Sequence, residues 1–269
     1  MALPASAQFA TQDVADGLTA DDLVQELLGS GVTTTNEIFS GAAVAGGLFT
    51  EPSGILGADF HGGVVLSSGS VDFCAGPNDA DGLSLQTGTP GDVDLNSLIP
   101  GYSTLDATVL EFDFVPDQSF LVFRYVFASE EYDEFVTSDF NDVFAVFLDG
   151  DRPEHNIARV AGACAGAPGQ PITINNVNCG FEAMDPSAPN CPCYVSNAAG
   201  TLDTEMDGMT RVFQATADVA AGLHHMKIAI ADTSDEIYDA NVFIRCGSLA
   251  CGTVPTRPST WGQMKARYR

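Results

Sequence analysis

Residues 123–148 read FRYVFASEEYDEFVTSDFNDVFAVFL: two apolar, aromatic-rich runs separated by a segment crowded with carboxylates. That segment holds Glu130, Glu131, Asp133, Glu134, Asp139 and Asp142, with no lysine or arginine between them. Like charges this close repel one another unless water, protons or a cation intervenes. The flanking runs are short, and they are β-branched or aromatic at alternate positions. They read as two core strands joined by an acidic connection.

The rest of the chain repeats the strand signal. Candidate strands fall at 32–39, 63–68, 107–114, 119–127, 143–148, 171–177, 210–217, 224–231 and 240–246, with glycine-rich turns or polar loops between them. In the 119–127 run, Phe120, Val122, Arg124 and Val126 take one face while Leu121, Phe123, Tyr125 and Phe127 take the other. One short helix stands out. Thr19 and Asp22 make a capping-box pattern ahead of the apolar stripe Leu23, Val24, Leu27 and Leu28, and Gly29 ends it. Such a helix is too short to be stable alone and should pack on a sheet.

Many short strands, one helix and no βαβ rhythm define an all-β chain: a β-sandwich, jelly-roll-like, with one short N-terminal helix and long loops. The long loops are 74–101 and most of 150–205. We divide the chain into a flexible N-terminal segment 1–18, a sandwich domain 19–249, and a linker with a basic-aromatic tail at 250–269. The first segment contains ALPASAQ, whose A-x-A pattern fits the remnant of a signal peptide. No apolar run approaches the roughly 20 residues of a membrane-spanning helix.

Charge narrows the partners. The net charge of −26 excludes nucleic acid, whose phosphates need a basic patch, and favours cations. Basic residues concentrate at the end of the chain, at Arg257, Lys265, Arg267 and Arg269. The seven cysteines include no CxxC pair, and the CPC at 191–193 is a poor chelating turn. Loop cysteines beside Gly, Pro and Asn read as disulfides of an oxidising, extracellular compartment. The expected pairs are Cys246 with Cys251, and Cys179 with Cys191 or Cys193.

For the acidic connection, calcium suits the residue types, because it takes six to eight oxygen ligands in flexible geometry. Loops at one end of a sandwich can gather such oxygens. The candidate ligands are Glu130, Glu131, Asp133, Asn141 and Asp142, joined by Asp232, Asp235 and Asp239 from a second inter-strand connection. The NDADG stretch at 78–82 begins like an EF-hand loop but meets Pro90 where the glutamate belongs, so it reads as a turn. Catalytic patterns are missing. The adjacent His224 and His225 should face opposite sides of a strand, and there is no G-x-S-x-G elbow or phosphate loop.

Several stretches taken in order resemble the choice-of-anchor L domain. They are TADDLVQELLGSGV (19–32), GVVLSSGS (63–70), PGDVDLNSLIPGYSTLDATVLEFDFVP (90–116), FRYVFASEEYDEFVTSDFNDVFAVFLDG (123–150), ITINNVN (172–178) and IAIADTSDEIYDANVFIRCGSL (228–249). The resemblance implies an exported bacterial module in extracellular proteins that differ in how their C-termini are sorted or attached. It implies no enzyme activity and no established ligand. The expected function is therefore a non-enzymatic, calcium-stabilised surface module in adhesion or matrix contact, meeting a protein or glycan. One alternative is a self-associating subunit of an extracellular filament, docking through its N-terminal segment or its tail. Another is a carbohydrate-binding or glycan-processing sandwich, disfavoured because the single tryptophan, Trp261, lies outside the domain.

Overall fold

The computed structural model describes residues 9–51, 53–80, 82–160 and 169–252. Alternation puts Tyr125 and Phe127 on the inner face of one strand, β6 (Phe120–Ser129), and Phe144 and Val146 on the inner face of another, β7 (Val143–Leu148). The two rows meet across a sandwich: the ring centroids of Tyr125 and Phe144 lie 5.0 Å apart although their strands belong to different sheets.

Nine strands of the described residues make the larger sheet. Side by side run β1 (Ala10–Asp13), β3 (Gly46–Thr50), β4 (Gly62–Ser67), β13 (Ala240–Arg245), β6, β10 (Gly208–Thr210) and β9 (Tyr194–Ser196). Flanking the first half of β6 are β11 (Phe213–Asp218) and β14 (Ala250–Gly252). The smaller sheet orders β2 (Val32–Ser40), β5 (Thr104–Pro116), β12 (His224–Thr233), β7 and β8 (Ile172–Thr173). The named strand pairs are antiparallel.

Both sheets are also covered on the outside, which is why VFAVFL is apolar throughout rather than at alternate positions. Phe9, Leu56, Phe60 and Met206 cover Val126, Ala128 and Phe243 of the larger sheet. On the smaller sheet, Leu95 of the short helix α2 (Val93–Asn96) and Ile99 lie over Ala145, Ala229 and Ala231. Lys227 fastens that cover through ion pairs to Asp92, at 2.6 Å, and Asp94. Each fully buried phenylalanine contributes about 2 kcal/mol to this packing.

The helix expected from the capping box is present as α1 (Ala20–Leu27). Thr19 and Asp22 cap each other's backbone, and Leu23, Val24 and Leu27 enter the core against β2 and β4. The opposite open side of the sandwich is closed by loops around Ile174, Val177 and Tyr194. A disulfide joins Cys179 to Cys191 there, with Cα atoms 4.5 Å apart, and Cys193 is disulfide-bonded as well.

Four expectations are corrected. Residues 9–18 belong to the fold: Phe9 stacks on Phe49, and Ala10–Asp13 pairs with β3. The strand expected at 171–177 stops at Thr173, whose side chain caps a single 3-10 turn, Ile174–Asn176. Residues 250–252 are not linker but β14, paired with Val122, Leu121 and Phe120. Finally, Cys246 and Cys251 carry free thiols, as does Cys74. The chain between the first two detours to the end of α1, where Gly247 N–H donates to Glu26 and Leu249 N–H to Leu27, both at 2.9 Å. The signal-remnant motif and the basic tail lie outside the described residues.

Candidate functional site

The acidic connections 130–142 and 234–239 leave the sandwich at the same rim, and the Phe135 and Tyr238 rings join them at 5.1 Å. Register explains why their carboxylates meet. The last pairs between β12 and β7 are Ile230 with Phe144 and Ala231 with Val143, so one residue further Asp232 stands opposite Asp142. Both continue the inward-facing rows, Ile228–Ile230 and Val146–Phe144. The core rows of two neighbouring strands thus end in carboxylates facing each other, an arrangement that destabilises a sheet when both are charged.

Asp142, Asp232 and Glu131 are buried, with at most 1% of their surfaces exposed. Donors for them are scarce. Asp142 Oδ1 accepts the Thr233 N–H at 3.0 Å, but its Oδ2, both oxygens of Asp232 and Oε2 of Glu131 have no hydrogen-bond partner. The Ser68 hydroxyl eases the charge of Asp232, yet it is engaged with Ala240 through the N–H at 2.9 Å and the carbonyl at 3.4 Å. The Thr233 hydroxyl is also buried without a partner. Burial, then the charges of Asp232 and Asp235, pushes Glu131 up to about 9. Burial and the neighbouring carboxylates raise Asp142 and Asp232 well above the usual range. Asp235 lies half-buried at the mouth of the group, its Oδ1 accepting the Ile237 N–H at 3.2 Å.

Glu130 faces a different group, on the outer side of the larger sheet. Its neighbours are Glu205, Asp207 and Asp239, and burial followed by the first two acids' charges pushes it up to about 9. Here the carboxylates meet backbone donors. Glu205 accepts the N–H groups of Asp79, at 3.2 Å, and Ala80, at 2.9 Å. Asp239 accepts Leu85 N–H at 3.1 Å and Ser70 N–H at 3.3 Å. Only glycine fits at position 69, because a Cβ there would lie 1.7 Å from Asp239 Oδ2. Burial raises Asp239 less, to about 6, because those donors oppose it.

Of the eight residues expected as calcium ligands, Glu131, Asp142 and Asp232 come together between the sheets, with Asp235 at the mouth. Glu130 and Asp239 belong to the outer group. Asp133 and Asn141 are turned elsewhere: Asp133 accepts the hydroxyls of Tyr194 and, at 2.9 Å, Ser196, while Asn141 Oδ1 accepts Asn175 N–H at 2.8 Å. Glu205 and Asp207 were missed, because no periodicity in the stretch around them marks them as rim residues. Among the described residues, no three His, Cys, Asp or Glu side chains form a ready-made metal-ligand set. The adjacent histidines diverge, His224 to Asp149 at 2.6 Å and His225 to Asp113 at 2.8 Å. No helix among the described residues is long and apolar enough to cross a membrane.

The chain is thus a two-sheet β-sandwich with a carboxylate-rich rim. Residues 11–250 match the choice-of-anchor L domain, and the chain belongs to that family. The family is a surface-anchoring domain not known as an enzyme, which marks this chain as a surface-associated β-sandwich module. No curated protein and no solved structure matches it.

Proposed function

We propose that this chain is a calcium-stabilised module of an exported surface protein, making adhesive or matrix contact with a protein or glycan through its acidic rim. The observation that carries the calcium reading is Asp232, a carboxylate 1% exposed whose two oxygens have no hydrogen-bond partner. An uncompensated buried charge is strongly unfavourable, and a bound cation relieves it directly. Calcium takes much of its shell from neutral oxygens and water, so three preset carboxylates are not required. Glu131, Asp142 and Asp232 are the ligands, with the Thr233 hydroxyl beside them and Asp235 at the mouth. The contact reading is supported by Leu85, Tyr102 and Ile237, large apolar side chains exposed around the same rim.

The test is thermal unfolding in calcium chloride and in chelator, for the wild type and Glu131→Ala. Calcium should raise the melting temperature of the wild type and raise that of the variant less. Equal calcium affinity and equal melting temperatures would overturn the site. For the contact, Ile237→Ser should weaken calcium-dependent retention on arrays of matrix proteins and glycans; retention indifferent to both calcium and the substitution would remove the adhesive role.

A further inference from the structure

At the end of β6 and β13 away from the acidic rim, the outer face of the larger sheet carries a charge pattern of the opposite sign. Tyr125 pairs with Ile244, so one residue further Arg124 stands opposite Arg245. Tyr125 and Ile244 lie in the core, which turns both arginines outward. Like charges directly opposite each other destabilise an antiparallel pair. One carboxylate serves them both. Asp59 Oδ2 accepts an Arg124 Nη1–H at 2.7 Å and lies 3.9 Å from Arg245 Nη2, while Arg245 Nε donates to the Asp59 carbonyl at 2.6 Å. The other guanidinium N–H groups of the pair have no hydrogen-bond partner among the described residues. Lys227 shows the reverse balance, one cation between two acids.

The two arginines line a cavity of about 560 Å³ together with Phe120, Val122 and Gln214, a volume in the range of small-molecule sites. Register builds it: Gln214 of β11 stands opposite Arg124, and Ala250 of β14 opposite Val122. Because β11 and β14 pair with the same residues of β6, they occupy both of its sides, and the floor offers no free strand edge to an extended peptide. Recognition here must come from side chains. Asp218 stands opposite Phe120, so a ligand's negative charge belongs at the arginine end. We propose that this cavity binds an acidic saccharide, its carboxylate or sulfate held between Arg124 and Arg245 and its ring lying over Val122 and Phe120. The fork of a guanidinium matches the paired oxygens of such a group, and the Gln214 amide supplies a donor and an acceptor for hydroxyls. The site is separate from the rim and does not depend on calcium there.

Calorimetric titration of the full chain tests it, with trigalacturonate, a sulfated galactotriose, neutral galactotriose and a pentaglutamate peptide as probes. Salt of about 0.1 M screens the protein's net charge of −26 beyond about 10 Å. At least one acidic saccharide should bind and neutral galactotriose should not; which of the two binds tells carboxylate from sulfate. Affinity should fall about tenfold or more in Arg124→Gln and in Arg245→Gln. Asp59→Asn, which removes the competing carboxylate from an exposed position, should raise affinity and keeps the test decisive if an arginine variant fails to fold. Binding should persist in chelator, which separates this site from the calcium reading. No binding of either acidic saccharide, or equal affinity in the wild type and all three variants, would overturn the site. Binding of pentaglutamate in place of the saccharides would overturn the ligand class.

Discussion

Two groups of buried carboxylates share one rim of this sandwich, and they are neutralised differently. In the outer group, Glu205 and Asp239 accept backbone N–H groups from residues 79, 80, 85 and 70. In the inner group, the one backbone donor to Asp142 and Asp232 is Thr233, and Asp232 receives no backbone N–H. The contrast follows from location. The outer acids face a loop whose amides have no ladder partners, whereas the inner acids face the opposite sheet, whose amides are spent on strand pairing. A carboxylate lodged between two paired sheets must hold a proton or a cation. That difference separates a hydrogen-bonding tether from the proposed cation site.

Removing calcium should give the largest effect. A ligand present at about a hundred times its dissociation constant stabilises by about 2.7 kcal/mol. For a chain of this size, that corresponds to a fall in melting temperature of about 5–10 °C on chelation. A shift confined to the chemical environment of the 79–85 loop would assign the ion to the outer group instead.

The pH dependence comes next. Glu130 and Glu131 are raised to about 9 in the folded state, against a carboxylate value of 4.5 when free. Between those values the folded, metal-free protein holds protons that the unfolded chain has released, so its stability falls as pH rises through that window. Calcium at the proposed inner site would replace the Glu131 proton, so its stabilising effect should grow with pH and binding should release protons. Melting curves from about pH 5 to pH 9 with and without chelator measure both; parallel curves would mean that neither group binds metal.

Asp232→Asn separates the two groups by sign. In chelator it should stabilise by about 1–3 kcal/mol, since it removes a buried acid without backbone donors. In calcium it should destabilise. The matching outer change, Glu205→Gln, should cost about 1 kcal/mol in either condition, because it weakens charge-assisted bonds to the loop. Urea unfolding of both variants under both conditions makes the comparison. Losses for both in chelator would erase the distinction.

Much of this rim was legible from the chain. Alternation in IAIAD and DVFAVF places Asp232 and Asp142 in phase with core residues, and a shared sandwich end was enough to expect them together. Other parts left no local signal. ATQD has no strand pattern, and Ala10–Asp13 becomes β1 only because Phe9 finds Phe49 and Phe243. Glu205 and Asp207 sit in a stretch without periodicity, so their approach to Glu130 is a property of tertiary structure alone. Asp133 and Asn141 have the right chemistry, but nearby hydroxyls and a backbone amide claim their oxygens first. The expected Cys246–Cys251 bond ignored the detour that the intervening residues make to the end of α1.

The most direct test of a cation between the sheets is anomalous scattering from crystals grown in calcium chloride. Calcium at the inner group predicts an anomalous peak bounded by oxygens of Glu131, Asp142 and Asp232. Refined density in which Asp142 and Asp232 hydrogen-bond to each other, with no anomalous peak at saturating calcium, would contradict it.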